Sequence, residues 1–444
     1  MRYKRYDKYK ETGVEWLPKI PEGWDLKGLR YCCKFTVGWT PSTKNPAYFD
    51  GKNIWVTIAD MKSKYIDDSA NYVSDLAIKE SNVSIIPKGS LLYSFKLSVG
   101  KVAFAGKDVY TNEAIFAVLP AKEYSLTYLY YSFPIEVIYN ASENIYGAKI
   151  LNQELIKSAN IVFPPLNEQK QIADYLDKKT SKIDLLLQRL GRQKELLVEK
   201  RSALINKAVT RGLNTDVKMK KTGIEWLPEV PNDWEVKNLK YIIKDLESGV
   251  SVNSTEVPCI NEELGILKTS CVYDYSFNPS ENKAIISLEV DRAKTNPRAN
   301  SIIISRMNTP DLVGASGYVD KNYYSLFLPD RLWQTVFFDE ESLCVKWLSF
   351  ILISESFRKV MTSLATGTSP SMKNLAKEDL LSQKIPYPKY NEQKQIAEYL
   401  EQQTAKIDLL QSKTDKQIEL LKEYRTSLIT SAVTGQIKIA SSNN

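Results

Sequence analysis

Two segments of this chain occur twice, and that repetition limits the fold more than any other feature. Residues 167–210 (NEQKQIADYLDKKTSKIDLLLQRLGRQKELLVEKRSALINKAVT) return as residues 391–434 (NEQKQIAEYLEQQTAKIDLLQSKTDKQIELLKEYRTSLITSAVT) without a gap, 26 of 44 positions being identical. A second echo precedes each, TGVEWLPKIPEGW at 12–24 and TGIEWLPEVPNDW at 222–234. Between the echoes the halves differ almost completely, so a fixed frame carries two different inserts. That is how a reader of two different things at a fixed separation would be built. In a chain of 444 residues the repeat counts domains better than length does: two globular domains, each followed by one long helix.

The repeated helices carry the clearest periodicity. Asn167 and Asn391 follow proline-containing stretches and precede an acidic residue, a helix start signal. Leu176, Ile183, Leu190, Leu197 and Leu204 recur every seven residues in the first; Leu400, Ile407, Leu421 and Leu428 do so in the second, with Thr414 interrupting the seam. Sustained over five heptads, this predicts a coiled coil. At 1.5 Å per residue, roughly 43 residues make a rod of about 64 Å. Alternation with globular domains along one chain favours antiparallel packing, hence a pseudo-twofold molecule that mirrors the twofold character of duplex DNA. Leu186 with Leu187, Leu196 with Leu197 and Leu420 with Leu421 widen the apolar stripe beyond what a pair uses, so Leu187, Leu196 and Leu420 are candidates for docking partner helices.

Each insert reads as α+β. In the first, short β-type runs (53–58, 90–95, 101–105, 114–118) are bounded by PKG, SVG and GKD and followed by a helical pattern over 125–139. In the second, runs at 302–305, 317–319 and 334–338 precede a helical pattern over 343–362. The EWLP segments, rich in proline and tryptophan, suit an extended lead-in, with Trp16, Trp24, Trp226 and Trp234 as packing anchors.

Composition removes several function classes. There is no histidine, so no Ser-His-Asp or Cys-His nucleophile and no His base is available. Five scattered cysteines (Cys32, Cys33, Cys259, Cys271, Cys344) form no CxxC pair, which argues against a zinc site or disulfide framework and for a reducing compartment. No GxxxxGK[ST] loop, no FxGxG-like cofactor loop and no [DN]PP[FYW] motif appears. A charged N-terminal stretch and the lack of an 18-residue apolar run lead to the expectation of a cytoplasmic, soluble chain without a metal or catalytic residues. The net charge of +7 permits a polyanionic partner without requiring one.

If the inserts read DNA, Lys, Arg, Ser and backbone amides would hold phosphates, and Arg, Lys and Asn would read base edges. The candidates are Lys62, Lys64, Ser94, Lys96, Ser98, Lys101 and Asn112 in the first insert, and Lys268, Arg298, Arg306, Asn308, Ser316 and Lys373 in the second.

The doubled GxEWLPxxPxxW and NEQKQIAxYL…TxKID…AVT segments, with 89–94, 99–101, 111–115, 302–306 and Gly314, are where the chain resembles the specificity subunit of type I restriction-modification systems, over essentially its whole length. The resemblance implies a non-catalytic chain with two target recognition domains, each reading half of an asymmetric, interrupted DNA site. They would occupy 1–165 and 213–389, and the spacer helices, one at 166–212 and one with its tail at 390–444, would set the gap and dock two methyltransferase subunits. It further implies that S-adenosylmethionine belongs to those partners, which methylate adenine N6, and that separate restriction subunits make the assembly an ATP-dependent endonuclease. Two other readings stand beside it: the specificity chain of a system whose partner fuses methylation and cleavage, and a tandem protein- or glycan-binding module on a coiled-coil scaffold.

Overall fold

A computed structural model of the chain describes residues 4–439 except 97, 144–148, 262, 370 and 371. The chain forms two compact units, residues 1–190 with 416–444, and residues 191–415. Each unit therefore contains the beginning of one long helix and the end of the other.

The lead-in segments are hairpins rather than single extended strands. Tyr9–Val14 pairs antiparallel with Leu17–Pro21, and Met219–Ile224 with Leu227–Pro231, each with a register shift at the same place. Gly13 and Gly223 take φ of 72° at that shift, in the left-handed region that a side chain disfavours. The Thr12 hydroxyl donates to Leu17 O and accepts from Val14 N; Thr222 does the same with Leu227 and Ile224. The two prolines of each LPxxP run sit in the second strand of an isolated hairpin, where one edge has no partner to satisfy.

In the first unit a five-stranded sheet runs in the order Phe35–Val37, Ile115–Val118, Leu91–Ser94, Val102–Ala105, Tyr65–Ile66, antiparallel except for the last pair. The helical pattern expected at 125–139 is an α-helix over Leu126–Glu136 that tightens to a 3-10 turn at Val137–Asn140, three residues beyond Pro134. Its buried face, with Tyr128, Leu129 and Phe133, meets Leu91, Tyr93 and Phe116 of the sheet in one core.

In the second unit a four-stranded antiparallel sheet runs Ile243–Ser248, Leu332–Phe337, Ser301–Ser305, Ser316–Val319. The helical pattern expected at 343–362 is two helices, Val345–Ile353 and Glu355–Leu364. Ser354 breaks it: its backbone is extended (φ −62°, ψ 141°) and its hydroxyl donates to Ile351 O at 2.7 Å, a local bond that competes with the helical ladder.

The long helices span Leu166–Arg211 and Tyr390–Val433. Each ends at a glycine with positive φ, Gly212 and Gly435, which lets the chain leave in a left-handed turn. A Cβ on Gly435 would stand 2.4 Å from Pro21 Cδ, and one on Gly212 would stand 3.1 Å from Trp234. The residues after Gly435 return to the start of the chain: Lys438 N donates to Lys4 O, and Tyr9 Oη to Gly435 O.

Within each unit the two helix segments run antiparallel. In the second, Lys194 pairs with Asp415 and Arg201 with Asp408, so seven residues forward on one helix is seven back on the other. In the first, Arg425 Nε lies 3.0 Å from Asp184. Of the heptad residues, Leu176, Ile183, Leu197, Leu400, Ile407 and Leu428 are buried, whereas Leu190, Leu204 and Leu421 are half-buried. Thr414 is buried as well, and its hydroxyl satisfies itself on Leu410 O at 2.8 Å, so it occupies the stripe rather than breaking it. Helix ends also complete the domain cores: Leu428, Ile429, Ala432 and Val433 lie with Trp24 and Tyr128, and Ile205, Ala208 and Val209 lie with Trp234 and Trp347.

Burial and surface charge contribute unequally here. Replacing the fully buried Leu400 with alanine should cost about 2–5 kcal/mol of stability, whereas Asp408→Asn at an exposed pair should cost under about 1 kcal/mol. Urea denaturation of the two variants checks the contrast.

Candidate nucleic-acid interface

The first turn of each long helix positions its insert. Glu168 Oε2 accepts the Trp24 indole N–H at 2.9 Å, and Glu392 Oε2 accepts that of Trp234 at 3.0 Å. The next residue is a buried glutamine. Gln169 Oε1 accepts Ser125 N at 2.9 Å while its amide donates to Pro164 O at 2.9 Å; Gln393 does the same with Cys344 N and Pro388 O, both at 2.9 Å. Ser125 and Cys344 stand immediately before the helices Leu126–Glu136 and Val345–Ile353 of their inserts. The NEQ string thus gathers lead-in, insert and long helix at one point, with equal geometry in both units. The two joints differ in one respect: Tyr6 Oη also donates to Glu168, and burial with that carboxylate pushes the tyrosine hydroxyl well above its ordinary value. Glu392 is raised too, chiefly by burial, the Trp234 bond acting against it.

In the first insert, the turn joining Leu91–Ser94 to Val102–Ala105 is held from inside by Ser94. This residue is buried; its hydroxyl donates to Ser98 O and accepts Lys101 N at 3.0 Å. It shapes the turn and is no surface donor. Lys96, Ser98 and Lys101 are exposed on that turn, and Lys62 is exposed as well; Leu97 lies outside the described residues. Asn112 is half-buried, its Oδ1 accepting Ala114 N. Lys64 is engaged elsewhere: its ammonium lies 2.7 Å from Asp177 on the first long helix and 5.1 Å from the centre of the Tyr130 ring.

In the second insert several expected donors are likewise engaged. Lys268 pairs with Glu281 at 3.1 Å and Arg298 with Glu247 at 2.5 Å. Asn308 is buried, donating to Tyr273 Oη and Ser305 Oγ, and Ser316 is buried within the sheet. Both therefore build the domain instead of lining its surface. Arg306 follows the central strand Ser301–Ser305, with its guanidinium 6.0 Å from the Trp333 ring and its Nε without a partner. Lys373, half-buried, stands opposite Asn308 on Met372–Asn374. Sequence spacing could not separate these roles, because Asp177 and Glu281 are remote in sequence from the lysines they neutralise.

The helices carry a second surface. Leu185, Leu186, Leu196, Leu409, Leu410 and Leu420 are 44% to 56% exposed, and they form three pairs of identical residues in the two repeats. Leu187 does not belong with them: it is half-buried against the first core, as is Leu421, and its counterpart is Gln411. Comparing the repeats position by position would have found Leu185 and Leu409, which heptad counting passed over. Each unit also has a cleft beside the end of a long helix. One of about 640 Å³ is lined by Val198, Arg201, Ser202, Ile205 and Arg358; the other, of about 270 Å³, is lined by Tyr130, Pro134, Arg425, Thr426 and Ile429. The described residues contain no cluster of potential metal ligands and no helix long and apolar enough to cross a membrane.

Two copies of one frame, each gripping an unlike α+β insert through the same bonds, define a two-domain recognition scaffold. The sequence profile of the type I restriction modification DNA specificity domain matches residues 21–192 and 231–420, most of the chain, and the chain belongs to that family. Its function is that of a type I restriction-modification specificity subunit, a non-catalytic component. The MjaVIII specificity subunit of Methanocaldococcus jannaschii is 24% identical over 443 residues, covering 96% of this chain and 95% of its own. The MjaIX specificity subunit of the same organism is 28% identical over 279 residues, 60% of this chain and 62% of its own length. Among solved structures, the HsdS subunit from Thermoanaerobacter tengcongensis has the same fold (TM-score 0.52, 16% identity, 94% of this chain and 98% of that one). So does a chain from a study of type I complex assembly (TM-score 0.64, 16% identity, 93% and 98%).

The joint makes a stability prediction. Trp234→Phe removes the hydrogen bond to Glu392 and part of the ring volume and should cost about 1–3 kcal/mol, whereas Trp234→Ala opens a larger cavity and should cost about 3–5 kcal/mol. Thermal unfolding monitored by far-UV circular dichroism ranks the two.

Proposed function

We propose that each insert reads one half of an asymmetric, interrupted DNA site, and that the long helices set the unread gap between the halves. The observation that carries this reading is the joint built twice with the same bonds around two unlike inserts: constant parts hold position, and variable parts read sequence. Lys62, Lys96 and Lys101 in the first insert and Arg306 in the second would contact DNA, phosphates giving affinity and register, base edges giving discrimination of roughly 1–3 kcal/mol per pair.

Membership of the family implies DNA and methyltransferase partners. In our reading two methyltransferase subunits dock, one on each set of exposed leucines, because an apolar surface repeated once per unit fits one partner bound twice. S-adenosylmethionine would be bound by those subunits, which would transfer its methyl group to adenine N6. Restriction subunits would add ATP-dependent cleavage. This chain's own part is to bind, orient and space.

Adenine methylation mapped genome-wide by single-molecule sequencing, in a host given this chain with its modification subunit, tests the reading. A new two-part motif methylated once on each strand, absent from a host lacking the chain, is the expected result. A verified complex that yields no such motif would sink it. The docking surface has its own check: Leu186→Gln combined with Leu410→Gln should weaken methyltransferase association at least tenfold in co-purification or calorimetry without lowering the melting temperature. By contrast, Lys96→Ala should leave assembly unchanged.

A further inference from the structure

We propose that Gln169 and Gln393 are positioning residues that fix the attitude of each recognition domain to its spacer helix, and so decide how strictly the gap is read. The inference rests on the reading above, in which the helices set the gap. Three observations carry it. Both glutamines are almost wholly buried, with both ends of the carboxamide engaged, so neither can rotate without leaving a buried polar group unpaired. Each joins two separate pieces: the carbonyl oxygen holds the insert where its helix begins, and the amide holds the segment just before the long helix. Finally, each grips its insert by a backbone N–H rather than a side chain. The gripped residues are unlike, Ser125 and Cys344, yet both bonds are 2.9 Å. A fastening addressed to the backbone works for any insert whose helix starts in that place, which is what a frame with exchangeable contents needs.

Loss of the fastening predicts a specific defect. The bases read in each half depend on the insert and should not change, whereas a domain free to rock on its helix should accept half-sites one base pair nearer or farther. Gln393→Met keeps the length of the side chain and removes both bonds. In the assembled methyltransferase complex, the ratio of methylation at the cognate gap to that at neighbouring gaps should fall about tenfold, the equivalent of one to two net hydrogen bonds, with both half-site sequences intact. Gln393→Glu, which keeps an acceptor facing Cys344 and, when protonated in this buried site, can donate its O–H to Pro388 O, should restore most of that ratio. If Gln393→Met does not fold, Cys344→Pro, at a backbone φ of −81° that proline tolerates, replaces the donated N–H with a ring carbon that crowds Gln393 Oε1, and should broaden the gap in the same way. A folded, assembled variant with an unchanged gap ratio overturns the proposal, as does a change in the letters of a half-site. A wild-type complex that yields no interrupted motif would fail the DNA-reading itself, an outcome seen before any variant is compared.

Discussion

The structure of each unit depends on one buried carboxamide next to one carboxylate, at the first turn of a long helix. The first N–H groups of a helix have no carbonyl within it to bond, and this turn also has three chain segments to hold. Glutamate takes the indole of the lead-in tryptophan, and glutamine takes an amide of the insert and a carbonyl of its own approach. The lead-in hairpin, the insert and the helix also share apolar contacts, which are non-directional and tolerate sliding. The hydrogen bonds convert a packed junction into an oriented one.

Much of this was legible in the sequence, because the repeat gives the frame twice. The two long helices, their starts and the α+β nature of the inserts follow from heptad spacing and from short β-type runs. Thr414 reads as an interruption because a hydroxyl in an apolar stripe is costly, yet within a helix the carbonyl four residues back removes most of that cost. Ser354 shows the reverse: a pattern apolar enough for one helix is divided by a residue that bonds locally to the preceding turn. The lead-in segments read as extended, and only the pairing of their two halves makes them hairpins.

The candidate surface was less legible, for a physical reason. Whether a lysine is available to a phosphate depends on which carboxylate the fold brings to it. Lys64 and Lys96 look alike in sequence, but one faces Asp177 across the sheet edge and the other stands exposed at a turn. Ser94 and Ser98 divide in the same way, the first tying the turn together and the second riding on it. The repeat was the better filter, since it distinguishes the exposed Leu185, Leu186 and Leu196 from Leu187, which has no leucine counterpart.

The ion pairs along the helices have a further consequence. Asp184 pairs with Arg425 and Arg201 with Asp408, and these are the same two positions of the repeat with donor and acceptor exchanged. Every helix of this kind carries both members of the pair, so it is the electrostatic complement of its own reverse. Such a sequence needs no second, tailored sequence to pair with; a copy of itself, turned end for end, is enough. Duplication alone could therefore supply a matching partner, and the 26 identities between the repeats are compatible with a contact that remains good only while both sides stay alike.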